Sequence, residues 1–288
     1  MIGIILAGGK GTRLYPLTLT QSKQLLPVYD KPMIYYPLSV LLNAGIREII
    51  LISSPEYLNQ YKKLLGSGKS LGIKIQYLVQ KKPEGIAQAL LISNKYIKNQ
   101  NVCLILGDNI FYGASMNKHI DNAINNLKEN LSTIFAYYVS NPQDYGVVSF
   151  KNNIPNKIIE KPKKFISNFA VTGLYFYTAD AFKKVKKLKF SSRGELEITA
   201  LNEMYLHEKR LNCEILEEGC AWLDMGTHDG LLEASSFIST IEKRQGLKIG
   251  CIEEIALKKG YIKTKDVAKI ITNNNSSYSN YLKKILSQ

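Results

Sequence analysis

The first 140 residues of the chain keep a regular beat. Four short apolar runs, Ile2 to Ala7, Glu48 to Ser53, Lys74 to Gln80 and Val102 to Leu106, alternate with stretches of helical length at Lys31 to Ala44, Pro55 to Leu65 and Gly85 to Lys98. The runs have strand length and little polar alternation, as strands covered on both faces do. Such strands, joined by connections long enough for a helix, pair in parallel with the helices packed over the sheet. Lys31-Pro32 opens the first helical stretch and Gly45 stops it, each in the position its backbone chemistry favours. Ser115 to Glu129 reads as a further helix and Thr133 to Val139 as a further strand.

Beyond residue 140 the rhythm changes. Short β-type runs (Gly146 to Phe150, Lys157 to Glu160, Val171 to Tyr177) alternate with helices expected at 195–209 and 228–245. They predict an extension of the same sheet plus an excursion carrying substrate groups. Small helices are expected over 247–288, parted by the loop Asn273-Asn274-Asn275-Ser276-Ser277. The expected fold is therefore α/β, with a mostly parallel, Rossmann-like sheet and helices on both faces. One domain over 1–246, dividing near residue 140, would be followed by a helical segment over 247–288. No internal repeat and no hexapeptide array is present.

Composition narrows the function classes. At 288 residues and 45% hydrophobic, the chain can bury a full core. No apolar run approaches the roughly 20 residues of a membrane span. The N-terminus shows no basic region and no small-residue cleavage site, so no signal peptide is expected. Cys103, Cys213, Cys220 and Cys251 lack CxxC spacing and read as buried or incidental thiols, which fits a reducing cytoplasm. The net charge of +14 is spread evenly: residues 1–150 carry 15 Lys and Arg against 8 Asp and Glu, and residues 151–288 carry 23 against 16. Most of the excess is lysine, whereas nucleic-acid recognition favours arginine forks. A solvated basic surface that attracts polyphosphate is expected, and no nucleic-acid partner.

Chemistry concentrates in Leu6-Ala7-Gly8-Gly9-Lys10-Gly11-Thr12-Arg13-Leu14, directly after the first strand. Glycines let backbone N–H groups approach an anion, and Arg13 adds a fixed cationic fork. In open α/β sheets ligands sit beyond the carboxyl ends of strands, where this loop falls. It is not a Walker A loop, since Gly9-Lys10 is followed by Gly11, and GxGxxG fails because position 14 is Leu. A plain strand-to-loop turn remains the alternative on these residues alone. His119, His207 and His228 share no metal spacing and stand near no Ser or Cys nucleophile motif; they read as structural or surface residues.

Leu6 to Thr18 and Ser22 to Leu38 (LAGGKGTRLYPLT and SKQLLPVYDKPMIYYPL) resemble the opening of bacterial glucose-1-phosphate thymidylyltransferases. The resemblance continues through Val79-Gln80, Gly85 to Ala89, Leu106-Gly107-Asp108-Asn109, Asp144 to Val147, Glu160-Lys161-Pro162, Ala170 to Tyr177, Arg193 to Thr199, Ala221 to Asp224, Gly226 to Asp229 and Arg244 to Leu247. It is nearly end to end and in order. The chain departs from the family at Lys10, where a small residue is usual, and at Met225, where Thr is usual. It departs again at Ala114-Ser115, in a region the family uses for feedback regulation.

The resemblance implies a set of roles. Leu6, Gly8, Gly9, Gly11, Thr12, Arg13 and Lys23 would bind the nucleotide, the glycines cradling its triphosphate, with Gln80 and Gly85 at the thymine and Asp108 beside the phosphates. Leu106, Tyr145, Gly146, Glu160, Lys161 and Val171 would bind the sugar phosphate, Glu160 on its hydroxyls and Lys161 on its phosphate. Arg13, Lys23 and Lys161 would be the catalytic cations. Asp108 and Asp224, each ending an apolar run, would hold Mg²⁺, a hard cation whose shell phosphate oxygens and water complete; either alone also reads as a turn or cap aspartate. The implied substrates are dTTP and glucose 1-phosphate, and the implied assembly is a homotetramer. A sugar phosphate is already a competent nucleophile, so a site of glycines, cations and two aspartates needs only to neutralise and align, worth up to roughly 7–11 kcal/mol from positioning. Two alternatives remain on the same fold: a uridylyl- or cytidylyltransferase, and a non-catalytic nucleotide-sugar sensor.

Overall fold

The computed structural model describes residues 1–97, 99–271 and 275–287. The beat of the first half is realised as β1 (Ile2–Ala7), the hairpin β2 (Pro27–Val28) and β3 (Lys31–Pro32), α1 (Tyr35–Asn43), β4 (Glu48–Ser53), α2 (Leu58–Leu65), β5 (Lys74–Val79), α3 (Gln88–Ser93), β6 (Val102–Leu106), β7 (Asn109–Tyr112), α4 (Met116–Lys128) and β8 (Ser132–Tyr138). The second half adds β9 (Gly146–Lys151), β10 (Ile154–Glu160), β11 (Phe169–Tyr177), α5 (Ala181–Val185), α6 (Ile198–His207), β12 (Leu211–Leu216), β13 (Ala221–Asp224) and α7 (His228–Gln245). The chain closes with α8 (Ile252–Lys258), α9 (Thr264–Ile270) and α10 (Ser277–Leu286). Among the described residues no helix is long and apolar enough to cross a membrane.

Among the described residues nine strands form the main sheet, and the run β6-β1-β4-β5, which ends at the β5 edge, is wholly parallel. Alternate residues of β1 enter two cores: Ile5 and Ala7 face α1, α2, α4 and the three C-terminal helices, while Ile2 and Ile4 face α3, α5 and α6. Helices therefore cover both faces, as the unbroken apolar runs require. The outer half is antiparallel except where β12 runs parallel to β8, and it forks at β11. Leu174 to Tyr177 pair with β6, whereas Ala170 pairs with Val147 of β9, which forms a hairpin with β10. Beside the sheet stands a two-stranded ribbon of β7 and β13, in which Asp224 lies opposite Asn109.

Helix α7 spans 228–245 as the pattern predicts, its first turn capped by the Thr227 hydroxyl accepting from the Gly230 amide. Others start late. Lys31-Pro32 belongs to β3, because the buried Lys31 ammonium is held by Asp30 at 2.5 Å and Glu242 at 2.9 Å. Helices α3 and α6 begin at 88 and 198 because the segments before them bind each other: Leu196 N–H donates to Glu84 at 2.8 Å and Ala87 N–H to Leu196 at 3.2 Å. Lys98, at the expected end of the third helical stretch, and Asn273 and Asn274 of the expected tail loop lie outside the described residues.

Candidate active site

The glycine loop leaves the carboxyl end of β1, and Gly9 and Gly11 hold φ of 104° and 58°, a region where side chains are strained. Gly11 precedes a short 3₁₀ turn, Thr12–Leu14, that carries Arg13. A cavity of about 180 Å³ opens on this loop, walled by Gly8, Gly9, Gly11, Thr12, Arg13, Lys23, Asp108 and Gly226. Lys23 is buried and ion-paired to Oδ2 of Asp108. The Arg13 guanidinium lies against the backbone of Gly226, where a Cβ would stand 2.5 Å from Nη2.

A second cavity, of about 230 Å³, occupies the fork at β11. Leu106, Tyr145, Gly146, Glu160, Lys161 and Val171 all line it, together with Asp224 and Trp222. The Glu160 carboxylate accepts from the Thr199 hydroxyl at 2.5 Å and from Arg193 at 3.4 Å. Lys161 is exposed, with its N–H donated to the Tyr145 carbonyl at 3.0 Å. Arg13 and Asp108 line both cavities, so the two spaces meet at one cation and one carboxylate.

A third cavity, of about 320 Å³, adjoins the loop at Gly9 and is walled by Lys10, Ser54, Tyr57 and Gln80. Gln80 is buried, and its amide N–H donates to Oε1 of Gln88 at 2.6 Å. Leu6 and Gly85 line none of the three cavities. The Leu6 carbonyl instead accepts from Gly107 at 2.9 Å. A Cβ on Gly85 would stand 2.4 Å from the Leu196 carbonyl oxygen, so a chain crossing requires this glycine.

The charges of the site are unbalanced. Burial, followed by the charge of Asp108, pushes the Asp224 carboxyl above its usual range, and Lys23 and Arg13 only partly offset this. Two carboxylates crowded in low dielectric attract a hard cation, and Asp108 and Asp224 are the residues that would hold one. Each oxygen of an ionised carboxylate has a second lone pair beyond its present partner. Among the described residues no group of three or more His, Cys, Asp or Glu is arranged to hold a metal, so a cation here would draw the rest of its shell from phosphate and water.

Several lining residues carried no role in the sequence reading. Arg193 is fixed by Glu160, Glu195 and Glu197 at 3.4, 3.2 and 2.9 Å, and its pKa is raised chiefly by the Glu197 hydrogen bond. Trp222 stands edge-on to Tyr145, ring centres 5.2 Å apart. A lone tryptophan two residues before a candidate metal ligand was the available signal. His119 is buried between Glu214 at 2.8 Å and Glu217 at 3.1 Å and lines none of the three cavities.

A family model described as Nucleotidyl transferase matches residues 2–241 of the chain. A glucose-1-phosphate thymidylyltransferase of Neisseria meningitidis is 52% identical over 290 residues, which span 99% of each chain. One of Mycolicibacterium smegmatis is 48% identical over 296 residues, again 99% of each. A solved Bacillus anthracis structure, provisionally named a glucose-1-phosphate thymidylyltransferase and in complex with a sucrose, is 38% identical with a TM-score of 0.76. The match covers 82% of this chain and 95% of that one.

Proposed function

The chain belongs to the nucleotidyl transferase family, among the glucose-1-phosphate thymidylyltransferases, and on that premise we propose that it transfers the thymidylyl group of dTTP to glucose 1-phosphate. An oxygen of the sugar phosphate attacks the α-phosphorus in line. The bond from that phosphorus to the α,β-bridging oxygen breaks, giving dTDP-glucose and pyrophosphate.

The observation that carries this reading is the sharing of Arg13 and Asp108 by two cavities. A triphosphate on the glycine loop and a sugar phosphate in the fork of the sheet would bring their reacting ends together there. Arg13 and Lys23 neutralise the nucleotide phosphates. Lys161 holds the sugar phosphate, and Glu160, oriented by Thr199 and Arg193, takes sugar hydroxyls. Gln80, fixed by Gln88, presents one amide edge to the base. Mg²⁺ held by Asp108 and Asp224 would draw charge from the phosphate oxygens. No general base is required, because the nucleophile arrives ionised.

The reading extends to a cytoplasmic homotetramer serving deoxysugar synthesis of the dTDP-rhamnose type for cell-surface polysaccharide, which rests on the family resemblance. Within the chain, residues 1–140 would hold the nucleotide, 141–246 the sugar phosphate, and 247–288 form a helical appendage. The deciding experiment is pyrophosphate release across a panel of nucleotides crossed with sugar 1-phosphates. With glucose 1-phosphate, dTTP should give the highest kcat/KM and UTP the next, since an amide matched to one base edge leaves polar groups unpaired with another. Best turnover with CTP would overturn the thymidylyl assignment.

A further inference from the structure

Asn109 divides its side chain among three neighbours. It is 2% exposed. Its Oδ1 accepts from the Trp222 indole N–H at 2.7 Å and from the Gly173 N–H at 3.0 Å, while Nδ2 donates to Oδ1 of Asp108 at 3.1 Å. Chemistry settles which end is which: an indole and a backbone amide only donate, and an ionised carboxylate only accepts. The approach to β11 is as close as a backbone permits, since a Cβ on Gly173 would stand 2.5 Å from Asn109 Oδ1. One rigid amide thus touches the aromatic wall of the sugar cavity, the strand at its floor, and a carboxylate that lines both cavities.

We infer that Asn109 is a positioning residue that ties the Trp222 wall to the Asp108 carboxylate, so that a sugar seated against the indole meets the cation-holding group in fixed register. This rests on the reading of Asp108 as a cation ligand and of the forked cavity as the sugar site. An amide spent only on the fold would not need to satisfy a carboxylate that is already paired with Lys23. A partner of this kind orients a metal-holding group, and removing such partners weakens metal affinity by about 10-fold or more.

The test measures Mn²⁺ binding by electron paramagnetic resonance with dTTP present and no sugar, so that nothing turns over. Asn109→Ala should weaken Mn²⁺ binding by about tenfold and raise KM for glucose 1-phosphate. Trp222→Phe, which keeps the wall but removes the indole donor, should weaken Mn²⁺ binding a few-fold although it touches neither oxygen of Asp108. In the Asn109→Ala background the same change should add nothing, because the link is already cut. Asn109→Ser serves if the alanine variant does not fold. Mn²⁺ affinity within twofold of the parent in a folded Asn109 variant, or full additivity of the two changes, would overturn the inference. A parent protein with no Mn²⁺ affinity at all would overturn the cation reading itself, and this inference with it.

Discussion

A methyl group placed on Gly8 would stand 1.9 Å from Oε1 of Gln80. The glycine loop and the Gln80 amide are therefore in direct van der Waals contact, and Gln80 cannot retreat freely because Gln88 holds its other end. Gly8→Ala should displace that amide and raise KM for dTTP by about five- to tenfold, the equivalent of one neutral hydrogen bond. KM for glucose 1-phosphate should barely move. Equal changes in both constants would show that Gln80 does not act on the nucleotide.

Of the three cavities, Lys161 lines the one in the fork of β11, where the sugar phosphate is proposed to sit. Lys161→Ala should raise KM for glucose 1-phosphate far more than KM for dTTP, by the roughly 1.5–3 kcal/mol of a charged hydrogen bond. Steady-state titration of each substrate separates the outcomes, and equal losses would point to general destabilisation.

Asp108→Asn and Asp224→Asn keep shape and remove charge. Each should fold, as a thermal melt will show, yet lose roughly 10²–10³-fold in kcat at saturating dTTP. Relief of crowding should spare the stability of Asp224→Asn, whereas Asp108→Asn also leaves the buried Lys23 without its carboxylate and should melt lower than the other variant. Near-normal kcat across a magnesium titration in a folded variant would remove that residue as a ligand.

Lys31 and Lys248 both pair with the buried Glu242 and with Asp30. Lys31→Met leaves Glu242 and Asp30 with one cation in place of two. Breaking one side of a buried pair costs about 3–5 kcal/mol, and the surviving Lys248 places this change at the low end. Urea unfolding measures it. An unchanged midpoint would mean that Lys248 alone satisfies both carboxylates.

Asp180 provides the pH test. Burial raises its pKa, but the Arg210 bond at 2.7 Å, with Thr178 and Tyr205, outweighs burial and holds the carboxyl well below the usual range. A depressed folded-state pKa contributes stability above the unfolded value of about 3.9, lost as pH falls through the folded value. The pair is partly exposed, so solvent screening limits the contribution to about 1 kcal/mol. Asp180→Asn should lower Tm by about 2–4 °C at pH 7, and the gap should begin to narrow below about pH 4 and close only as the pH nears the folded-state value. A gap that persists in acid would locate the loss in packing.

What the chain announced by itself was local. Unbroken apolar runs demanded cover on both faces, and β6-β1-β4-β5 is parallel with a core on each side. Gly8 to Gly11 had to leave a strand end, and Asp108 had to follow another, since a strand's carboxyl edge is where its side chains meet solvent. The rest depended on partners far apart in sequence. The resemblance puts Gly85 at the thymine, and only the fold shows that its lack of a side chain also admits the crossing with Leu196, 111 positions away. Met225 reads as a disturbance beside Asp224, yet its side chain is wholly buried with Leu14, Ile110 and Ile238 beneath α7. Arg193 and Trp222 became cavity walls only because β11 forks and the β7–β13 ribbon folds back beside it. Periodicity reports which face of an element is apolar. It carries no information on which distant backbone will press against that face, and packing of whole elements makes that choice.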